Sequence, residues 1–413
     1  MTTIEATEVQ SLREDEYRLR LEVTRLRRRL YEAADPAAPP EDLLEDLRAA
    51  EERLAAAEKA RTEAQTAEGK SGVIVDTRDD PLLLGPETTG LEVHLTLGME
   101  YVPTAIAHLL SGDAMPLVSC DVRNARDTTR RLRISSYLDG YSAQAVDTVE
   151  LEGQRSHRFR QLPVMHPAAA RQVTELTRAT LNVLVEDLDR ADSPVELYRS
   201  VPVWLLARTS APLAIQDPAT GQWLDTSPFF GAFVTPNAPA VMQFLRKAAA
   251  RHPEGMLVGY QGDEGMVEPQ VQAIFEALKQ DGALTYVNSV LTSSPEEGFP
   301  DQRVRLPRES LEEQQANCID GTVLYASLME AASLSPAICV VPGHAFVAWE
   351  TWEGSGQWRY LETTMTASHS FADACTAAER TAAHYAAQGD GVEGLRRWPV
   401  SILRSHLRIT PME

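Results

Sequence analysis

Apolar residues recur at helical spacing near the beginning of the chain. Residues 8 to 68 are rich in Ala, Glu, Arg and Leu, and the proline-rich stretch at residues 36–40 breaks the pattern in two. The heptad positions are Val9, Leu12, Leu19, Val23, Leu26, Leu30 and Ala33, followed by Leu43, Leu47, Ala50, Leu54, Ala57 and Ala64. The pattern predicts an antiparallel coiled-coil hairpin that binds a protein partner or a second copy of the chain. Because Glu16 and Arg61 interrupt the seam and alanine replaces larger side chains, we expect the hairpin to pack on another element; a solvated spacer is the alternative.

The apolar pattern shortens to strand length after a linker at residues 69–72 and a turn-rich stretch at residues 76–86. The predicted strands are Leu91 to Leu97, Met115 to Val122, Arg130 to Tyr137, Ala145 to Leu151, Ala179 to Glu186 and Val201 to Leu206. Short strands separated by turn signals are typical of a β-sandwich, here immunoglobulin-like in general form. We expect a recognition or spacer module without catalytic residues.

The last part of the chain mixes helical and strand patterns. Helices are predicted at Ala240 to Arg251 and Thr322 to Ser333, and strands at Ala337 to Glu350 and Gln357 to Glu362. The first of these strands is interrupted only at Pro342-Gly343. The predicted fold class is therefore α+β, with a helical hairpin in residues 1–70, a β-sandwich in 71–210 and an α+β catalytic domain in 211–413.

Charge and cysteine content narrow the class of protein. The 413 residues include 39 Lys and Arg against 60 Asp and Glu, a net charge of −21, which argues against binding to nucleic acid or to an anionic membrane. Four cysteines without close pairing argue against a disulfide framework. No signal peptide, membrane-spanning run, nucleotide-binding motif or metal motif is recognisable, so we expect a cytoplasmic protein without a cofactor or metal.

Three residues in the last region could form a nucleophile, its base and an orienting carboxylate. Cys318 opens a predicted helix, where the unpaired N–H groups and the helix dipole favour a thiolate. His344 lies in the next predicted strand, and Glu362 ends the strand after it. Two strands joined by a short loop should pair, which brings side chains within about 5 Å of each other. A carboxylate beside His344 would fix the imidazole tautomer.

Each residue also has a structural explanation. A lone cysteine is most often a small buried apolar residue, and we interpret Cys120, Cys339 and Cys375 in that way. Attack on an amide further requires donors for the oxyanion, and the candidates are the Cys318 N–H and the side-chain amides of Gln314 and Gln315. Two polar residues beside the cysteine, Asn317 and Asp320, are better explained as caps of the helix.

From about Val267 to Met365 the chain resembles the transglutaminase-like cysteine hydrolase superfamily, which has a papain-like architecture with Cys on a helix and His and Asp on successive strands. The resemblance implies that Cys318 is the nucleophile, His344 the general base and acid, and Glu362 the third member. The family usually has Asp at this third position. Three functions follow from the resemblance: a thiol protease or other amide hydrolase, regulated within a larger assembly; a transglutaminase with an amine acceptor; or an inactive protein that binds peptides.

Overall fold

The structure is a computed structural model, and it shows a mixed α+β chain. The described residues are 19, 22, 23, 26, 41–67, 73–75, 90–99, 101–190, 195–216, 223–287, 301–389 and 394–412. Contacts divide the chain into two compact units, residues 63–225 and residues 226–413 together with 1–62. The three-domain division with boundaries at residues 70 and 210 stays a prediction.

The predicted coiled-coil hairpin is wrong. Over the part of residues 1–67 that the structure describes, the one continuous helix is α1, Glu41–Ala67, and no coiled-coil hairpin is present. A local cluster buries Val23, Leu26, Leu43, Leu47 and Ala50. Among the α1 side chains that the structure describes, Ala50 is the last buried one, and Leu54 is only partly covered. A coiled coil needs large apolar side chains at every a and d position, and the alanines of the second half of α1 supply little apolar surface.

The unit of residues 63–225 contains a four-stranded and a five-stranded β-sheet. The order in the first sheet is β1-β2-β4-β7, and in the second it is β3-β9-β8-β5-β6. Neighbouring strands are antiparallel except β3 and β9, which are parallel. The bounds are β1 Val73–Val75, β2 Leu91–Leu97, β3 Tyr101–Pro103, β4 Val118–Asn124, β5 Arg130–Leu138, β6 Ala145–Leu151, β7 Ser156–Gln161, β8 Thr177–Asp187 and β9 Val195–Leu206.

Both sheets contribute to one hydrophobic core, so they form a β-sandwich. Leu95 and Val122 of the first sheet and Ile134, Val183 and Val203 of the second belong to the same buried cluster. Apolar side chains alternate with polar ones along most of these strands, because successive side chains point to opposite faces of a sheet. Short elements complete the unit: the 3₁₀ turn Ala107–Leu109, the helix α2 Pro167–Gln172, and the strands β10 Ser210–Pro212, β11 Ala214–Gln216 and β12 Trp223–Asp225.

The other unit is built on an antiparallel four-stranded sheet with the order β18-β17-β16-β19. Its two central strands are buried along almost their whole length, so both faces of the sheet are covered. Helix α6 packs on β16 and β17, and α7 packs on β18. The strands are β13 Thr285–Tyr286, β14 Asp301–Arg303, β15 Gln315–Ala316, β16 Pro336–Val341, β17 His344–Glu350, β18 Trp358–Leu361 and β19 Arg396–Pro399. The helices are α3 Pro239–Arg251, α4 Val267–Gln280, α5 Pro307–Glu313, α6 Cys318–Ala331, α7 Phe371–Ala386 and α8 Val400–Ser405. Single 3₁₀ turns lie at Ser227–Phe233, Glu264–Met266 and Thr363–Met365.

The predicted interruption at Pro342-Gly343 is a complete reversal of the chain. The two halves of the predicted strand pair with each other, with Val341 opposite His344. Gly343 has φ +75°, a conformation that glycine adopts without a steric penalty. The residue before it is Pro342, whose ring fixes φ near the value that this position of a turn requires. The predicted pairing of the strand that carries His344 with the strand that leads to Glu362 is confirmed, since β17 pairs with β18. Among the helices that the structure describes, none is both long and apolar enough to cross a membrane.

Candidate functional site

Cys318 is the first residue of helix α6. Asn317 caps this helix, because its Oδ1 accepts a hydrogen bond from the Asp320 N–H at 2.8 Å. In return Asp320 Oδ2 accepts from the Asn317 N–H at 3.1 Å, which completes a capping box. The thiol therefore lies at a rigid helix N-terminus, where the dipole favours negative charge.

The carboxylate of Asp320 binds Arg305, in the segment of the chain that precedes α5, and so connects this segment to helix α6. Asp320 is fully buried, and it accepts hydrogen bonds from Arg305 Nη1 at 2.9 Å and from the Arg305 backbone N–H at 2.7 Å. Burial raises the pKa of Asp320 and outweighs the opposing effect of these hydrogen bonds. Arg305 also contacts Glu313 at 3.0 Å, so the first turn of α6 is tied to α5.

His344 and Glu362 form a buried pair. Nε2 of His344 lies 2.8 Å from Oε2 of Glu362, and the two side chains are 8% and 1% exposed. The contact is diagonal across the sheet: Val347 is opposite Leu361, so Glu362 continues the register two residues away from His344. The ring of Phe346 stacks on the imidazole with the centroids 6.1 Å apart.

The environment of His344 favours the charged imidazolium. Burial lowers the pKa of His344, but the charge of Glu362 and hydrogen bonds to Cys318 and Glu362 outweigh it and raise the pKa to about 10. The structure thus joins the three residues in one hydrogen-bonded series, Cys318 to His344 to Glu362.

The second carboxylate oxygen of Glu362 is also bound. Oε1 accepts hydrogen bonds from Thr364 Oγ1 at 2.6 Å and from the Thr364 N–H at 3.0 Å. Thr364 is not among the candidate site residues that the sequence predicts. Its position two residues after a candidate carboxylate is the signal that could have suggested it, since short polar side chains often bond to near neighbours in turns.

The structure places the two glutamine candidates for the oxyanion hole just before α6. Gln314 follows α5 in a left-handed conformation and is exposed. Gln315 lies in β15, and its side-chain amide donates to Glu313 Oε2 at 2.6 Å. These contacts do not direct the Gln315 amide to the sulfur, and the oxyanion role of both residues stays a prediction. The backbone N–H of Cys318 is an unpaired helix N-terminal donor by position.

In the part of the chain that the structure describes, no group of three or more His, Cys, Asp or Glu residues is placed to hold a metal ion. The arrangement of Cys318, His344 and Glu362 is instead suited to transfer of an acyl group through sulfur.

Brief alkylation of the native protein with iodoacetamide should label Cys318 ahead of the other cysteines. Cys318 is partly exposed, whereas Cys120, Cys339 and Cys375 are buried. Burial also raises the pKa of these three thiols, that of Cys375 to about 12. Peptide mapping by mass spectrometry measures the labelling, and the protein unfolded in guanidinium, where all four should react alike, is the control. Equal labelling of Cys339 in the native protein would contradict the structure.

The His344 ring should titrate near pH 10, and Glu362→Gln should move this titration toward the ordinary value of 6.5. Because the folded-state pKa is raised, the stability from the pair is fully present below about pH 6.5 and is lost as the pH rises through about 10. Carbon-detected NMR of the histidine rings measures the titration, with the His344 signal assigned by its loss in His344→Gln. A wild-type titration near 6.5 would show that the buried pair does not form in solution.

Comparisons with known proteins do not identify this site. No protein-family model matches the chain. A search of the curated proteins likewise finds no match.

Proposed function

We propose that the chain is a cysteine-dependent amide hydrolase, a protease of the transglutaminase-like type. The single observation that supports it most is the hydrogen-bonded series from the Cys318 sulfur through His344 to the buried Glu362. A nucleophile, a base in contact with it and a group that orients the base are the parts that covalent amide hydrolysis requires.

In the first half of the reaction the Cys318 thiolate attacks the carbonyl carbon of a peptide or amide. A C–S bond forms, and the electron pair of the C=O bond moves onto oxygen, where the N–H groups at the start of α6 are candidate donors. When the electron pair returns, the C–N bond breaks and the His344 imidazolium gives its proton to the leaving nitrogen. The products of this half are a free amine and a thioester on Cys318.

Water completes the cycle. His344, now neutral, takes a proton from water as the water oxygen adds to the thioester carbonyl. The C–S bond then breaks and the electron pair returns to sulfur, which restores the thiolate and the imidazolium. The released product is a carboxylic acid.

Glu362 keeps His344 charged and oriented throughout these steps. It does not attack the substrate, and its two oxygens accept hydrogen bonds from His344 and Thr364, contacts of the kind that favour the charged form of a carboxyl group. An ionised carboxylate at Nε2 orients the imidazole and stabilises the imidazolium that forms with the thiolate.

Water is the expected acceptor, because it is the default acceptor of a thioester in aqueous solution, whereas an amine would need a site of its own. Transfer to an amine shares the first half-reaction and would make the chain a transglutaminase.

We further propose a protein or peptide substrate, a cytoplasmic location in which thiols stay reduced, and control within a larger assembly that helix α1 could join.

Cys318→Ala should abolish hydrolysis, with a loss of at least about 10⁴-fold, while the melting temperature changes little. His344→Ala should lose a similar factor, and the double variant should be scarcely worse than either, because the two residues act as a unit. Incubation with a peptide library derived from a whole proteome, read by mass spectrometry, measures the new carboxyl ends. Added methylamine distinguishes the two acceptors.

The same experiment can contradict the proposal. Hydrolysis that survives in Cys318→Ala would exclude the thioester mechanism. Methylamides instead of new carboxylates would assign the chain to the transglutaminases, and an unreactive wild-type protein would favour the peptide-binding alternative.

Both Glu362→Gln and Glu362→Asp should lower hydrolysis. Gln removes the charge that holds the imidazolium, and Asp is one methylene too short to reach His344 and Thr364 together, although the family usually has Asp. A displacement of about 1 Å at such a position can cost roughly 10²-fold in rate. The matched control is Glu379→Gln, which removes a carboxylate charge from α7 at a site 41% exposed, where Glu379 accepts from Arg359.

Full activity of Glu362→Asp would show that the reach of the glutamate is unimportant. Full activity of Glu362→Gln would remove Glu362 from the mechanism. Rates of peptide cleavage under first-order conditions report both comparisons.

A further inference from the structure

Thr364 supplies two hydrogen bonds to one oxygen of the buried carboxylate. Its hydroxyl donates to Glu362 Oε1 at 2.6 Å and its backbone N–H donates to the same atom at 3.0 Å. Glu362 is 1% exposed, so solvent does little to satisfy this oxygen. A buried carboxylate is costly unless its oxygens are bonded, and bonds to the charged form favour that form.

This arrangement leaves Glu362 little freedom to turn. With Oε1 held by Thr364, Oε2 lies 2.8 Å from Nε2 of His344. The titratable groups that act on His344 are Glu362 and Cys318, and both raise its pKa. The hydroxyl of Thr364 is therefore connected to Cys318 through the carboxylate of Glu362 and the imidazole of His344.

The 3₁₀ turn that contains Thr364 packs against helix α6, which begins with Cys318. Thr363 Oγ1 donates to the Cys318 carbonyl at 3.3 Å. A Cβ atom at Gly321 would lie 2.8 Å from Thr363 Oγ1 and 3.0 Å from Thr363 Cβ, so glycine permits this close approach. Thr366 Oγ1 donates to the Thr363 carbonyl at 2.7 Å and contacts the buried Tyr325 hydroxyl at 2.9 Å.

We propose that Thr364 is a positioning residue of the site, whose hydroxyl holds the Glu362 carboxylate in the orientation that pairs with His344. The inference rests on the proposed function, because the pair matters for catalysis only if Cys318 is the nucleophile. Thr364 itself touches neither the substrate nor the sulfur in this role. The 3₁₀ turn Thr363–Met365 thereby couples the position of the carboxylate to the start of α6.

The test compares Thr364→Val, which removes the hydroxyl at nearly constant shape, with Thr364→Ser, which retains it. Two readouts need no substrate: the NMR titration of the His344 ring and the rate of Cys318 alkylation by iodoacetamide at pH 7. In Thr364→Val we expect the titration to fall by about one pH unit and the alkylation to slow by about ten-fold, the effect of losing one hydrogen bond to a charged group. Thr364→Ser should recover both values.

Thr376→Val is the matched control, because the Thr376 hydroxyl donates to a helix carbonyl at an exposed position of α7. Thr364→Ala repeats the measurement with a smaller side chain in case valine disturbs the turn. An unchanged His344 titration in both Thr364→Val and Thr364→Ala overturns the proposal, even if alkylation slows, since the residue would then be merely structural.

Failure of the proposed function and failure of the positioning role of Thr364 give different results. If the wild-type protein forms no thioester with any peptide, the proposed function fails, whereas the His344 titration still decides the role of Thr364 in holding the pair. If the wild-type protein hydrolyses peptides and Thr364→Val leaves the titration and kcat unchanged, the function stands and the positioning role is excluded.

Discussion

The buried ion pair between His344 and Glu362 is the interaction on which the site depends. Removing a carboxylate from water costs several kcal/mol, about the net stability of many domains, unless hydrogen bonds and an opposite charge offset it. Glu362 meets this condition at both oxygens, with Thr364 on one and the imidazole on the other. The geometry of the pair is therefore prescribed by the groups around it, and those groups come from three separate parts of the fold.

Each part contributes a different constraint. The tight turn at Pro342-Gly343 starts β17 with His344, and the pairing of β17 with β18 brings Glu362 to the same end of the sheet. The packing of α6 on this sheet brings Cys318 to the imidazole. Because Asn317 and Asp320 cap α6 with their side chains, the start of that helix is fixed without help from a substrate. A reacting group on rigid elements loses little entropy when a substrate binds, which is a general requirement of efficient catalysis.

Much of the local structure follows from the amino-acid pattern. The observed strand β2, Leu91–Leu97, coincides with the predicted one, and Thr322 to Ser333 lies largely within α6, Cys318–Ala331. Local patterns succeed here because the period of two or 3.6 residues is set by the backbone itself. The heptad pattern near the beginning of the chain misled the prediction, since a period without bulky side chains does not supply enough apolar area to hold two helices together.

The sequence by itself determined the residue types, the order of Cys318, His344 and Glu362, and the elements on which they lie. Only the tertiary structure decided that His344 and Glu362 pair diagonally across the sheet and that Thr364 binds the second oxygen of the Glu362 carboxylate. It also decided that Gly321 admits the turn against α6. These contacts join residues up to 42 positions apart, as for Gly321 and Thr363, or depend on the conformation of a single turn, and no periodicity encodes them. Their geometry is set by how the sheet, the helix and the turn pack, and that packing is a property of the whole fold.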